Sequence, residues 1–207
     1  ALEGNAGDNY GAFQIDPYEF RELYKQAMLL ARELEQNGSY TRFDRKDHLW
    51  VPLAFEEGWI DSMDQLRATG ARRCGMGLGG LTVLSDGTVM PCRRFTEPVG
   101  KVPEQSLKDI WTGSKVLHKV REPDHRAFCA QCGFKHWCLG CSAVAAGVNQ
   151  GDYFGDDPQC WRIAAKKRFM AEHGMTDIPE DAEIYPAPAD IAPGRSRINS
   201  PPAKEEA

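Results

Sequence analysis

The chain lacks any excess of basic charge. Its 25 Lys and Arg face 30 Asp and Glu, for a formal net charge of −5, so the electrostatic footprint of a nucleic-acid binder is missing. No apolar run approaches the ~20 residues that a membrane-spanning helix needs, and no stretch has the form of a secretory signal. From these absences we expect a cytoplasmic protein with neither a nucleic-acid nor a membrane partner. No internal repeat is visible. The cysteines also lack an even count: there are seven, which cannot close into a full set of disulfides. With 207 residues the chain has room for one large or two small domains with an ordinary core. It opens on Ala1 rather than Met, and we expect a processed product or a fragment of a longer polypeptide.

What is present is a fixed order of thiols: Cys74, Cys92, Cys129, Cys132, Cys138, Cys141 and Cys160. Written out they read C-x12-G-x4-C, a gap, C-x2-C-x5-C-x2-C, a second gap, and a last Cys in Asp157-Pro158-Gln159-Cys160-Trp161. Four thiols crowded between Cys129 and Cys141 suit a soft metal in a reducing compartment better than a disulfide staple. A zinc site would draw two C-x2-C knuckles from Cys129/Cys132 and Cys138/Cys141, but would leave Cys74, Cys92 and Cys160 without a role. Iron–sulfur clusters, which take three or four thiolates each, use all seven as four plus three. The spacing is not that of a simple ferredoxin. From the cysteines alone clusters are preferred, and zinc stays open.

Around this motif the chain punctuates itself clearly. Asp16, Pro17 and Glu19 form a helix start, Phe20, Leu23, Tyr24, Ala27, Leu30 and Leu34 recur at helical spacing, and Asn37-Gly38 stops the helix, so a core-facing helix over about 17–36 is predicted. Lys46-Asp47-His48 reads as a pocket lining or a surface turn before a helix. Ser85-Asp86-Gly87 between Leu81–Leu84 and Thr88–Met90 predicts a hairpin that returns Cys92 beside the segment leaving Cys74. Ser106 and Ser114 each cap a short helix. The Cys129–Cys141 stretch is expected to be irregular before Ser142. A last helix is expected from about Asp157-Pro158 to Gly174, with Cys160 in its first turn, where free N–H groups stabilise a thiolate. Beyond Gly174, six prolines among Ala, Asp and Glu predict a flexible tail. Gly75-x-Gly77-x-x-Gly80 formally matches a dinucleotide fingerprint, but no buried strand precedes it and no helix follows, so we reject that reading.

The cysteine order resembles the SPASM domain, the C-terminal extension of radical S-adenosylmethionine (SAM) enzymes that mature peptides and proteins. The family pattern is C-x9–15-G-x4-C, gap, C-x2-C-x5-C-x3-C, gap, C. Cys74, Gly87 and Cys92 fit its first part, Cys129, Cys132 and Cys138 its second, and Cys160 its last. Asp86-Gly87-Thr88-Val89-Met90-Pro91-Cys92, Val99-Gly100-Lys101-Val102, Ser106-Leu107-Lys108-Asp109-Ile110-Trp111 and Asp157-Pro158-Gln159-Cys160 support the likeness, which covers about Arg73 to Trp161. The departure is Cys138-Leu139-Gly140-Cys141, with two intervening residues where the pattern has three.

The resemblance implies one auxiliary [4Fe–4S] cluster on Cys129, Cys132, Cys138 and Cys160, and a second on Cys74, Cys92 and Cys141. The second would have either an open iron or a non-cysteine ligand, with His125, His136, Asp156 and Asp157 as candidates. It implies an α+β fold: a C-terminal remnant of a partial (β/α)6 barrel over 1–65, a SPASM domain over 66–174, and a disordered tail over 175–207. Glu3-Gly4-Asn5 would mark a late barrel-strand end. The C-x3-C-x2-C triad that holds the SAM-cleaving cluster does not occur in the chain. The resemblance therefore places SAM and a third [4Fe–4S] cluster in a missing N-terminal part, and this chain alone is expected not to cleave SAM. The whole enzyme would generate a 5′-deoxyadenosyl radical to modify a peptide or protein side chain, with a flavodoxin or ferredoxin as reductant. The alternatives are a structural zinc- or cluster-binding module and a stand-alone electron-transfer adaptor.

Overall fold

A computed structural model describes residues 10–41, 43, 48–122, 124 and 126–176. Glu3-Gly4-Asn5, Lys46, Asp47, His125 and the tail from 177 onward lie outside the described residues. After a single turn α1 (Tyr10–Phe13), the helix α2 spans Pro17–Gln36, as its sequence punctuation predicts. The Asp16 carboxylate accepts the N–H groups of Tyr18 at 2.8 Å and Glu19 at 3.4 Å, satisfying two of the donors that a helix start leaves free. Asn37 caps the other end, and Gly38 turns the chain away at φ 72°.

The inward stripe of α2 follows the apolar spacing only in part. Met28 is buried and Tyr18, Phe20 and Tyr24 pack against the core, while Leu23 and Leu30 are exposed. Arg21 and Lys25 take inward positions because carboxylates on the next helix meet them. Arg21 donates to Glu56 at 3.0 Å and to Glu57 at 2.7 Å, and Lys25 reaches Glu57 at 2.7 Å. That next helix, α3 (Trp50–Glu56), is the centre of the main core, with Trp50, Val51, Pro52, Leu53, Ala54 and Phe55 all buried. A short α4 (Met63–Ala68), capped by Ser62 Oγ on the Gln65 N–H, adds Leu66. Among the described residues no strand precedes Thr82.

The hairpin forms where Gly87 predicts it. Strands β1 (Thr82–Val83) and β2 (Thr88–Met90) pair antiparallel, with Thr82 opposite Met90 and Val83 opposite Val89. Gly87 sits at φ 86°, and a side chain there would run into the Val102 carbonyl. A third strand, β3 (Gly100–Lys101), pairs on the far side of β2, giving the order β1-β2-β3. The serine-capped helices follow as α5 (Leu107–Gly113) and α6 (Lys115–Arg121), with Ser106 Oγ accepting from Asp109 N and Ser114 Oγ from Leu117 N. Leu117 and Val120 of α6 join Met76 and Phe95 in a second apolar cluster.

The cysteine-rich stretch is more regular than its glycine content suggests. It contains a helical turn, α7 (Ala127–Ala130), before α8 (Ser142–Val148). The final helix α9 begins at Trp161 rather than at Asp157-Pro158, so Cys160 is its N-cap, not a first-turn residue. Asp157 is not free to cap α9. It is buried, its Oδ2 accepts the Cys141 N–H at 2.7 Å and its Oδ1 the Gln159 N–H at 2.9 Å. Gly75–Gly80 is a turn closed by Gly79 N to Gly75 O at 2.8 Å, with no strand before it or helix after it, so the dinucleotide fingerprint finds no support. One apolar cluster runs from α2, α3 and α4 into Phe134, Cys138 and Trp161, so the N-terminal helices and the cysteine loops share a core. No helix among the described residues is long and apolar enough to cross a membrane.

Candidate metal centre

All seven thiols are free, and the thiols that act on one another fall into two sets, Cys74 with Cys92 and Cys141, and Cys138 and Cys160 with Cys129 and Cys132. In the first, the turn that follows α4 carries Cys74 and the end of β2 carries Cys92, both packed on the Met76, Phe95, Leu117 and Val120 cluster. The third member is Cys141, the N-cap of α8. Burial pushes the Cys74 thiol up, the neighbouring Cys141 and Cys92 push it further, and the Met76 N–H and the Arg126 guanidinium oppose them.

The second group gathers Cys129 in α7, Cys132 and Cys138 in the loop behind it, and Cys160 at the start of α9. The Cys132 N–H donates to the Cys129 carbonyl at 3.0 Å and the Cys138 N–H to the Phe134 carbonyl at 2.8 Å, folding the loop back on itself. Desolvation raises the Cys138 thiol, with Cys160, Cys129 and Cys132 adding to the rise. Burial likewise raises Cys160, beside Cys129 and Cys132. Burial pushes Cys129 up to about 12, although Arg126 pulls it back. Cys138 and Cys141 are separated by Leu139 and Gly140, and Gly140 turns the chain between them at φ 63°.

The sulfurs receive backbone donors in a repeating way. Cys74 faces the N–H of Met76, Cys92 Sγ accepts from Arg94 N at 3.4 Å, and Cys138 faces the N–H of Gly140, each two residues on. Such N–H···S contacts stabilise thiolates and set the potential of a cluster bound there. Nothing in the spacing marked them beforehand, because they depend on backbone direction. Among the described residues no three His, Cys, Asp or Glu side chains close around a single ion. The donor set, all sulfur with backbone N–H groups aimed at it, fits a cluster.

Among the described residues, the two aspartate candidates have other partners. His136 is exposed and stands edge-on to Trp137. Asp156 pairs with Lys167 at 2.7 Å, and Asp157 spends both oxygens on backbone N–H groups. Beside Cys74 lies a small cleft lined in part by Arg73, Met76, Arg126, Gly140 and Phe154. The Nη1 atoms of Arg73 and Arg126 are buried there without a hydrogen-bond partner among the described residues. Sequence reasoning missed both arginines, since nothing in a lone Arg signals burial.

The comparisons with known proteins agree with this chemistry. The SPASM family, described as an iron–sulfur cluster-binding domain, matches residues 74–133. The AdoMet-dependent heme synthase of Methanosarcina barkeri (strain Fusaro / DSM 804) is 35% identical over 95 residues, which are 45% of this chain and 27% of that protein. This chain thus spans about a quarter of the length of that relative. No solved structure matches it. Residues 74–133, which include Cys74, Cys92, Cys129 and Cys132, thus match the SPASM iron–sulfur cluster-binding domain, with Cys138, Cys141 and Cys160 beyond the matched span.

Proposed function

We propose that this chain is the auxiliary-cluster portion of a radical SAM enzyme, with one [4Fe–4S] cluster on Cys129, Cys132, Cys138 and Cys160 and a second on Cys74, Cys92 and Cys141. The observation that supports the reading is that Cys74 neighbours Cys92 and Cys141, while Cys138 and Cys160 neighbour Cys129 and Cys132. When bound, such clusters store and pass single electrons, and a cluster with three cysteines leaves one iron open to a further ligand. The chain's own residues hold the thiols and shape their surroundings. Backbone N–H groups of Met76, Arg94 and Gly140 favour the thiolate form. Phe134, Leu139, Trp161 and Ile163 keep water from the four-cysteine group.

The substrate of the whole enzyme is proposed to be a peptide or protein side chain, with a flavodoxin or ferredoxin supplying electrons in the cytoplasm. The SAM-cleaving cluster is assigned to a barrel outside this chain, because none of the seven cysteines has the C-x3-C-x2-C spacing. A second reading, a tetrapyrrole substrate, is favoured by the name of the matched relative, a heme synthase. Turnover assays of a full-length enzyme on peptide and on porphyrin substrates separate the two.

The cluster assignment is tested on the chain itself. After anaerobic reconstitution it should hold about eight iron and eight sulfide. Cys132→Ala should abolish the four-cysteine cluster, and Cys92→Ala the other, each halving the iron. Stoichiometric zinc in place of iron, or either variant with undiminished iron, would refute the partition. Given SAM and dithionite, the chain alone should form no 5′-deoxyadenosine.

A further inference from the structure

Arg126 is placed where local rules disfavour an arginine. It is the N-cap of α7, a position that prefers Ser, Thr, Asp or Asn and sits at the positive end of the helix. It is only 4% exposed, and its Nη1 has no partner among the described residues. A buried cation with an unused donor lowers stability unless an anion stands nearby, and a local rule broken this way is a common mark of a functional position.

The surroundings of Arg126 span both cysteine groups. Its backbone carbonyl accepts the Ala130 N–H at 2.7 Å across the turn that carries Cys129. Its Nη2 donates to Ser142 Oγ, on the residue after Cys141, and to the Tyr153 carbonyl at 3.0 Å. Its side chain lines the cleft that also contains Cys74. Tyr153 is itself fixed by stacking on Phe95 at 3.7 Å between ring centres and by accepting the Thr96 N–H at 2.9 Å. The guanidinium is thus anchored beside Ser142 and in the cleft that contains Cys74. Its charge reaches the thiols of both Cys129 and Cys74.

We propose that Arg126 is a shared counter-cation and positioning residue for the two cluster sites, setting the reduction potentials of both. The proposal rests on the two-cluster reading above. The core of an oxidised four-iron cluster is dipositive, so four thiolates leave a dianion and three a monoanion, and each site adds one negative charge on reduction. A fixed cation whose charge reaches both favours that added electron at each. Arg73 serves as the local contrast. It precedes Cys74 and lines the same cleft, its Nη2 donates to the Arg121 carbonyl, and its Nη1 is buried without a partner among the described residues, so its charge is expected to bear on the three-cysteine site.

The test is an anaerobic redox titration of the reconstituted chain, in which dithionite is oxidised to sulfite and gives one electron to each cluster. Electron paramagnetic resonance follows each signal, and Cys132→Ala and Cys92→Ala backgrounds assign them. Arg126→Gln should make both potentials more negative by at least a tenfold change in the reduction equilibrium, about 59 mV for one electron. Arg126→Lys, which keeps the charge but not the fork, should return both to within that margin of the parent. Arg73→Gln should shift the three-cysteine cluster only. If Arg126→Gln fails to load, Arg126→Met, an uncharged side chain of comparable length, takes its place, with the same negative shift expected at both clusters. A loaded Arg126→Gln protein with either potential unmoved overturns it, as does an Arg126→Lys protein displaced beyond the margin at either cluster. A parent with about four iron instead of eight removes the two-cluster reading and the proposal together; eight iron with unmoved potentials removes the proposal alone.

Discussion

Replacing Glu56 should destabilise the fold more than replacing an exposed acidic residue. Its carboxylate accepts Trp161 Nε1 at 2.9 and 3.1 Å, Arg162 Nη1 at 2.8 Å and Arg21 Nε at 3.0 Å. These bonds tie α2, α3 and α9 together immediately after Cys160. The site is largely out of water, with side-chain exposures of 12% for Glu56, 9% for Arg162 and 22% for Arg21. Removing one partner from a buried pair costs about 3–5 kcal/mol. Arg21 retains Glu57 at 2.7 Å, which moderates the loss, so Glu56→Gln should cost about 3 kcal/mol. At roughly 2–4 °C per kcal/mol for a chain of this size, the midpoint should fall by about 6–12 °C. The measurement is thermal unfolding of the cluster-loaded protein by circular dichroism in a sealed anaerobic cell. Glu104→Gln is the control, because the Lys101–Glu104 pair is exposed and 3.9 Å apart and should contribute less than about 0.5 kcal/mol. A Glu56→Gln shift no larger than that of Glu104→Gln would refute the reasoning.

Cluster loading should release protons, since burial leaves Cys74, Cys129, Cys138 and Cys160 as thiols near neutral pH and ligation requires thiolates. Their raised values mean that increasing pH weakens the metal-free fold while favouring loading; iron uptake that does not rise between about pH 6.5 and 8.5 would contradict this. Burial alone would raise Glu57, but the hydrogen bonds and charges of Lys25 and Arg21 hold it below 4.5. Its contribution is therefore complete above that value and lost as pH falls through the lower folded value, so Glu57→Gln and the parent should converge in stability in acid denaturation curves. In Gly140→Ala the new Cβ would stand 2.5 Å from Asp157 Oδ2 at a φ of +63°. That should cost at least about 1–3 kcal/mol in backbone strain alone and, by displacing the acceptor of the Cys141 N–H, deplete iron from the three-cysteine site, as read by iron analysis of the purified variant.

The elements legible in the sequence are those whose ends carry their own hydrogen-bond partners. Asp16, Ser106 and Ser114 each close a local loop of two or three residues, so α2, α5 and α6 could be placed from neighbours alone. The hairpin was legible for the same reason, through Gly87. What could not be read depends on contacts far along the chain. The inward turn of Arg21 and Lys25 makes sense only once Glu56 and Glu57 are opposite, 35 and 36 residues from Arg21. Trp50–Phe55 is apolar on every side and contains Pro52, so no period marks it as a helix. Asp157 resembles a cap until its carboxylate is seen to be bonded to Cys141, which delays the start of α9 to Trp161. The grouping of the cysteines followed from the family likeness, whereas Arg126 and Arg73 lay outside any motif.

The short interval between Cys138 and Cys141 sets a mechanical limit. Three consecutive Cα steps of 3.80 Å span at most roughly 11 Å even when fully extended, and the left-handed turn at Gly140 shortens that reach. The strands and helices around the two sites could shift, but this leash would still bind one thiol of each group to the other. Any hinge in a larger assembly must therefore carry both sites as a single body, at a nearly constant separation, whatever the rest of the protein does.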